Sequence, residues 1–121
     1  MVSVLLLDPF VDEGEMYSEY LRSQGFDVRL HHVAAAGLRE VVEARPDIVV
    51  TRLRQEHSEL DGVAITRLLK GDEATRHIPV VIITTSMLAS DERAAAEAAC
   101  DAYLVLPVSP DVLASELRRL L

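Results

Sequence analysis

A carboxylate, a guanidinium and a hydroxyl stand at the ends of three short apolar segments, as Asp8, Arg52 and Thr84. Carboxylate oxygens are ligands for hard cations, whereas a guanidinium stays protonated and is not a nucleophile. A fourth apolar segment ends at Leu106, directly before Pro107. If these segments are parallel strands, their carboxyl ends meet at the edge of the sheet where ligands bind. We therefore expect any functional site to lie among these residues.

The segments belong to an alternating pattern of apolar runs and amphipathic stretches. The apolar runs cover 4–7, 26–30, 48–50, 80–83 and 102–106. The stretches between them predict helices over 12–24, with Asp12 as the cap, over 34–44 and over 63–70, and further helices from Ser90 and Pro110. Such alternation predicts a doubly wound α/β fold. With right-handed crossovers, the fold class is a flavodoxin-like (βα)5 three-layer sandwich with a parallel sheet of order 2-1-3-4-5.

Composition limits the classes of protein to which the chain can belong. With 121 residues, 50% hydrophobic and 26% charged, it predicts a single domain over 1–121 and excludes a disordered tail. A net charge of −8 argues against binding to nucleic acid or to an anionic membrane. The single cysteine, Cys100, excludes an internal disulfide. No targeting segment or membrane span is visible, so we expect a cytoplasmic protein.

Six fragments in this order and spacing give the whole chain a family resemblance. They are VLLLD at 4–8, YLRSQGF at 20–26, RPDIVV at 45–50, LDG at 60–62, IPVVIIT at 78–84 and DAYLVLPV at 101–108. Together they resemble the receiver domain of response regulators, the part of two-component signalling systems that accepts a phosphoryl group. Each fragment is weak alone, whereas the ordered set is specific. The resemblance also implies a cis peptide bond between Leu106 and Pro107.

The resemblance implies five chemical groups, of which this sequence keeps two. Asp8 matches the first of two acids that hold Mg²⁺ in the family, but Pro9 occupies the place of the second. Arg52 replaces the aspartate that accepts the phosphoryl group. Thr84 matches the hydroxyl that binds the phosphoryl oxygens, and Leu106 replaces the lysine that neutralises their charge. We therefore expect a degenerate receiver with no metal, no cofactor and no catalytic residue.

An alternative is that the acceptor is another aspartate, displaced by a few residues in the alignment. Asp47 precedes its apolar run and should lie at the opposite end of the sheet, and Asp61 begins a helix. In the vacated pocket we expect an ion pair between Asp8 and Arg52, because burying either charge alone is costly. Glu56 and Glu59 are rival partners for Arg52.

Thr84 and Tyr103 occupy the two positions that, by resemblance, change rotamer together on phosphorylation. Without a phosphoryl group, we favour static packing of Tyr103 between the fifth strand and the fourth helix. The fourth helix, fifth strand and fifth helix could form a surface for a protein partner or for a second copy of the chain. The charged and aromatic residues of that surface are Arg93, Glu97, Asp101, Tyr103, Arg118 and Arg119.

The sequence thus favours a signalling module, not an enzyme, which binds a protein partner independently of phosphorylation. One alternative is a conventional phosphoaccepting receiver of a phosphorelay, which Arg52 opposes. Another is a flavodoxin-like cofactor binder. That class has a phosphate-binding loop rich in serine, threonine and glycine after the first strand, where this chain has Asp8, Pro9 and Phe10.

Overall fold

The computed structural model of the chain describes residues 1–55 and 58–121. Within these residues, strands and helices alternate along the chain. The strands are β1 (Ser3–Leu7), β2 (Asp27–His31), β3 (Ile48–Arg52), β4 (Val80–Thr84) and β5 (Ala102–Val105). The helices are α1 (Val11–Ser23), α2 (Ala34–Ala44), α3 (Gly62–Lys70), α4 (Ala89–Glu97) and α5 (Pro110–Leu120). The (βα)5 pattern is confirmed.

The strands form one parallel sheet with the order β2-β1-β3-β4-β5, as the sequence predicts. Leu7 lies opposite Thr51 in the register of β1 with β3, and Thr84 lies opposite Val105 in the register of β4 with β5. The carboxyl ends of the strands therefore meet at one edge. No helix within the described part of the chain is both long and apolar enough to cross a membrane.

Both faces of the central strands are buried, which explains their continuous apolar sequences. One face carries Leu6 and Val50, which pack with Leu21 of α1 and Leu117 of α5. The opposite face packs against α2 and α3, and its buried residues include Leu5, Val41, Val49 and Ile65. Helices therefore cover both faces of the sheet, each over its own core. The edge where the strands end is left uncovered by helices, and a functional site can form there.

The helix starts show where local patterns were misleading. The structure has Phe10 as the N-cap of α1, without a side-chain hydrogen bond, and Asp12 lies inside the first turn, so the predicted cap was wrong. Likewise, α4 begins at Ala89, and Ser90 lies inside it. An acid in the first turn stabilises a helix through its dipole as well as by capping, so Asp12 fits either place.

The starts of α3 and α5 and the end of β5 lie closer to their predicted positions. Asp61 caps α3, since its Oδ1 accepts a hydrogen bond of 2.8 Å from the Ala64 N–H. Pro110 is the first residue of α5. β5 ends at Val105, one residue earlier than predicted, and the expected cis peptide bond between Leu106 and Pro107 is confirmed.

Candidate functional site

Asp8 lies at the carboxyl end of β1 and is fully buried. Its Oδ1 accepts a hydrogen bond of 2.9 Å from the Phe10 N–H, and its main-chain oxygen accepts one of 2.7 Å from Nδ1 of His32. Its Oδ2 is buried and has no hydrogen-bond partner among the described residues. Burial, followed by the neighbouring Glu13 carboxyl, raises the pKa of Asp8 to about 7. At neutral pH this group therefore holds a proton part of the time.

Arg52 lies at the carboxyl end of β3 with 8% of its surface exposed, but its ion-pair partner is not Asp8. Nε of Arg52 lies 2.9 Å from Oε1 of Glu13. The expected Asp8–Arg52 pair was therefore wrong. Of the rival partners, Glu59 is exposed, and Glu56 lies outside the described residues. Nε of Arg52 and Oε1 of Glu13 form a close charge pair, but neither atom makes a hydrogen bond within the described structure.

Glu13 is a site residue that the sequence analysis missed. It lies in the first turn of α1, and helical side chains are directed back towards the N-terminus of their helix. An acid in this turn therefore extends over the loop that follows β1. The available signal was the acidic pair of Asp12 and Glu13, of which we interpreted only Asp12, as a helix cap.

Phe10 covers the pair from outside. The Arg52 guanidinium carbon lies 4.5 Å from the centre of the Phe10 ring, a cation–π geometry. Phe10 remains partly exposed, so its ring lies between Arg52 and solvent. The ring reduces the hydration of the guanidinium, which strengthens its attraction to Glu13.

Gln55 is a second site residue that the sequence analysis did not identify. It forms hydrogen bonds to residues at the ends of β1 and β3. Its Nε2 donates hydrogen bonds of 3.1 Å to Oγ1 of Thr51 and to the main-chain oxygen of Arg52. It also lies 3.4 Å from the main-chain oxygen of Leu7. Gln55 is buried, so its amide satisfies backbone groups that the sheet leaves open. Residues 53–55, which follow β3, are thereby held against the site.

These residues do not fit the Mg²⁺ ion that the resemblance implies. Pro9 has no side-chain ligand, and one oxygen of Asp8 already accepts a hydrogen bond from Phe10. Arg52 adds a fixed positive charge paired with Glu13. Among the described residues, no three His, Cys, Asp or Glu side chains converge as metal ligands would.

On the β4 and β5 side, Thr84 and Leu106 line the same edge. Thr84 is buried, and its Oγ1 accepts a hydrogen bond of 3.0 Å from the Ser86 N–H. Leu106 donates its N–H to the main-chain oxygen of Thr84 at 2.7 Å and packs against the core shared with α1 and α5. An apolar side chain therefore occupies this corner, and Pro107 follows it outside the strand.

Tyr103 packs against the small core formed by α4 and β4, which includes Ile82, Ala95 and Ala98. Burial raises the pKa of its hydroxyl, and Oη is buried without a hydrogen-bond partner in the described structure. Tyr103 of β5 therefore packs against α4, which is the location that the sequence predicted for it. Cys100 packs at the same core, as expected for a small apolar side chain.

Some residues of the predicted interaction surface already contact other residues of the chain, and others are exposed. Asp101 pairs with Lys70 at 2.9 Å and also accepts a hydrogen bond from the Val80 N–H. Arg118 stacks over Phe26, with 5.3 Å from its guanidinium carbon to the ring centre. The remaining charges of that surface are Arg93 and Glu97, exposed on α4, and Arg119, which pairs with Glu116.

The two displaced aspartates are placed as the sequence indicates. Asp47 lies before β3, and its Oδ2 accepts a hydrogen bond of 2.8 Å from the Ser3 N–H at the amino edge of the sheet. Asp61 caps α3. Asp47 therefore lies at the opposite edge of the sheet, and Asp61 serves as a helix cap.

Comparison with known proteins supplies the family. The curated polar-differentiation response regulator DivK of Brucella anthropi is 25% identical over 107 residues, covering 88% of this chain and 85% of the relative. Chemotaxis protein CheY4 of Vibrio cholerae has the same fold, with a TM-score of 0.90 at 21% identity, over 100% of this chain and 99% of that one.

A third relative carries a metal. The receiver domain of a sensor histidine kinase from Pseudomonas aeruginosa, with magnesium coordinated in its active-site cleft, has a TM-score of 0.87 at 25% identity. The match covers 98% of this chain and 95% of that one. The sequence model of the response regulator receiver domain matches residues 4–118. The chain therefore belongs to the response regulator receiver domain family of two-component signalling.

Proposed function

We propose that this receiver domain signals by binding a protein partner and takes no phosphoryl group, so that it is not an enzyme. The observation that carries the proposal is the Arg52–Glu13 charge pair at the carboxyl end of β3. A protonated guanidinium cannot attack phosphorus. Its charge and the missing second acid also oppose Mg²⁺. The proposal includes a cytoplasmic location, which the lone Cys100 supports.

Treatment with acetyl phosphate tests the proposal that the domain takes no phosphoryl group. The protein is incubated with acetyl phosphate and Mg²⁺, and intact-protein mass spectrometry measures the gain of a phosphoryl group. We expect no gain for the wild-type chain. Calorimetric titration with millimolar Mg²⁺ should give no saturable heat. A stoichiometric mass gain of one phosphoryl group would establish the conventional phosphoaccepting receiver instead, and co-purifying flavin would establish a cofactor binder.

The partner surface in this proposal lies on the α4 side of the sheet. Met87 and Leu88, in the loop before α4, are 88% and 62% exposed, and Val105 of the edge strand β5 is also exposed. Exposed apolar side chains on adjacent elements are typical of a protein interaction surface. Arg93 and Glu97 add charges of both signs on α4.

Contacts within the monomer favour a different protein, and not a second copy of the chain, as the partner. Asp101, Arg118 and Arg119 already contact Lys70, Phe26 and Glu116 within the monomer. A twofold interface built on those charges would first have to break these contacts. Sedimentation equilibrium at micromolar concentration should therefore give a monomer, whereas a concentration-dependent dimer that Val105→Glu abolishes would favour the second copy.

A further inference from the structure

The loop before α4 is tied to the loop after β3 by a side-chain network. Nη2 of Arg54 donates to Oδ2 of Asp91 at 2.9 Å. The Ser86 hydroxyl donates to the same Oδ2. Arg54 belongs to the loop after β3, whereas Ser86 and Asp91 flank the start of α4. One carboxylate oxygen therefore joins two loops that are distant in sequence.

The network continues into the backbone of the β4–α4 loop. Oγ of Ser86 accepts a hydrogen bond of 3.2 Å from the Leu88 N–H, and the Ser86 N–H donates to Oγ1 of Thr84 at 3.0 Å. Leu88, the N-cap of α4, makes no side-chain hydrogen bond as a cap. Its main-chain oxygen accepts hydrogen bonds from the N–H groups of Asp91 and Glu92. The network therefore fixes a first turn that lacks an ordinary cap.

The turn fixed in this way adjoins the proposed partner surface. Leu88 is exposed directly before α4, and Tyr103 packs against Ala95 on the inner side of the same helix. A shift of the first turn of α4 would therefore change both the apolar side chains presented to solvent and the packing of Tyr103. The side chain of Asp91 is only 17% exposed, which agrees with its being held between the loops.

We infer that Arg54 and Asp91 form a latch that holds the first turn of α4 against the loop after β3, and that opening it rearranges the α4 side of the partner surface. The role of the latch in partner binding rests on the proposed function. The latch itself stands on these contacts alone. Arg54 is 60% exposed, so the pair contributes at most about a fivefold change in an equilibrium constant.

Hydrogen exchange of the free protein tests the latch without any partner. Arg54→Gln should speed exchange of the Asp91 and Glu92 amides by about three- to fivefold, since their first-turn hydrogen bonds open more often. Arg93→Gln is the matched control, because Arg93 is an exposed arginine on α4 itself. It removes the same charge and should leave these amides unchanged.

A double-mutant cycle then separates the pair from a general loss of positive charge. In an Asp91→Asn background, where Ser86 still has an acceptor, Arg54→Gln should have no further effect on exchange. The ring protons of Tyr103 should shift in Arg54→Gln and not in Arg93→Gln. Equal exchange rates in wild type and Arg54→Gln, or equal effects of Arg54→Gln in both backgrounds, would overturn the latch. A phosphoryl group gained from acetyl phosphate would overturn the proposed function and leave this result standing.

Discussion

Asp8, Glu13 and Arg52 bring three ionisable groups together at one buried edge, and the balance of their charges depends on one proton. Burial and Glu13 raise the pKa of Asp8 from 3.8 to about 7. The folded protein therefore binds more protons than the unfolded chain between these two values. The stability that the proton contributes is complete below pH 4 and is lost as the pH rises through 7.

Asp8→Asn should remove this pH dependence. Its amide oxygen can still accept from the Phe10 N–H, and the amide stays neutral beside the Glu13 carboxyl at every pH. We expect the free energy of unfolding of the variant, relative to wild type, to rise by roughly 1–3 kcal/mol between pH 5 and pH 8. Urea denaturation at both pH values measures it. The control is Asp12→Asn, which changes an exposed acid in the first turn of α1. A difference independent of pH would show that Asp8 is ionised throughout.

Removing the cation should instead destabilise the fold. Arg52→Met keeps an unbranched side chain under the Phe10 ring but leaves the Glu13 and Asp8 carboxyls without their positive neighbour. We expect a loss of about 1–3 kcal/mol at pH 7.5, since a half-buried carboxylate loses its partner. Chemical denaturation of this variant and of Arg93→Met, which removes an exposed arginine, compares the two. Equal stability of Arg52→Met and wild type would mean that the pair contributes nothing.

For single residues, the sequence predicted the place in the fold better than the ion-pair or hydrogen-bond partner. Asp8, Arg52 and Thr84 could be placed at one edge because each follows a strand whose end the apolar run defines. Glu13 could not be assigned to Arg52, because the predicted N-cap, Asp12, lies two residues after the observed one, Phe10. Such a shift alters which first-turn side chain extends over the preceding loop. Gln55 gave no signal either, since its role is to satisfy backbone oxygens that only the folded sheet brings together.

At the level of elements, α3 is held against the end of β3 by close backbone contact. The Gly62 N–H donates to the main-chain oxygen of Leu53 at 2.7 Å. A Cβ atom on Gly62 would lie 2.8 Å from the main-chain oxygen of Arg52 and 3.0 Å from Cα of Leu53. Since both atoms belong to the backbone, neither can move aside as a flexible side chain would. This contact sets the distance between α3 and the site.

Gly62→Ala should therefore destabilise the protein although alanine favours helix. We expect a loss of about 1–3 kcal/mol, the cost of overpacking a close contact. The denaturation midpoint should fall while the slope against denaturant stays unchanged. An unchanged or higher midpoint would show that α3 moves away from β3 without cost.

At the scale of the whole molecule, the fold was the most predictable property. Helices and strands alternate with distinct hydrophobic periods, and right-handed crossovers with a polar second strand leave few sheet orders open. Polar and apolar residues alternate at 26–30, which favours a strand with one wet face, and β2 lies at the sheet edge beside β1. The partner surface was less predictable. The sequence alone does not show which of its charged residues already pair within the monomer, as Asp101 does with Lys70. The fold is thus set by many residues, whereas the chemistry depends on a few.

That separation predicts that phosphoryl chemistry can be restored without changing the fold. The variant Pro9→Asp, Arg52→Asp, Leu106→Lys supplies the missing acid, acceptor and lysine that the family resemblance implies. We expect it to gain one phosphoryl group from acetyl phosphate in a Mg²⁺-dependent reaction measured by intact mass. Arg52→Asp alone should gain none, because Leu106 leaves the phosphoryl charge unneutralised and the second acid is still missing. If the triple variant folds, shown by an unchanged circular dichroism spectrum, but stays unlabelled, then Glu13 and Gln55 also block the site. Labelling of wild type to the same extent would show instead that Arg52 does not occupy the position of the acceptor.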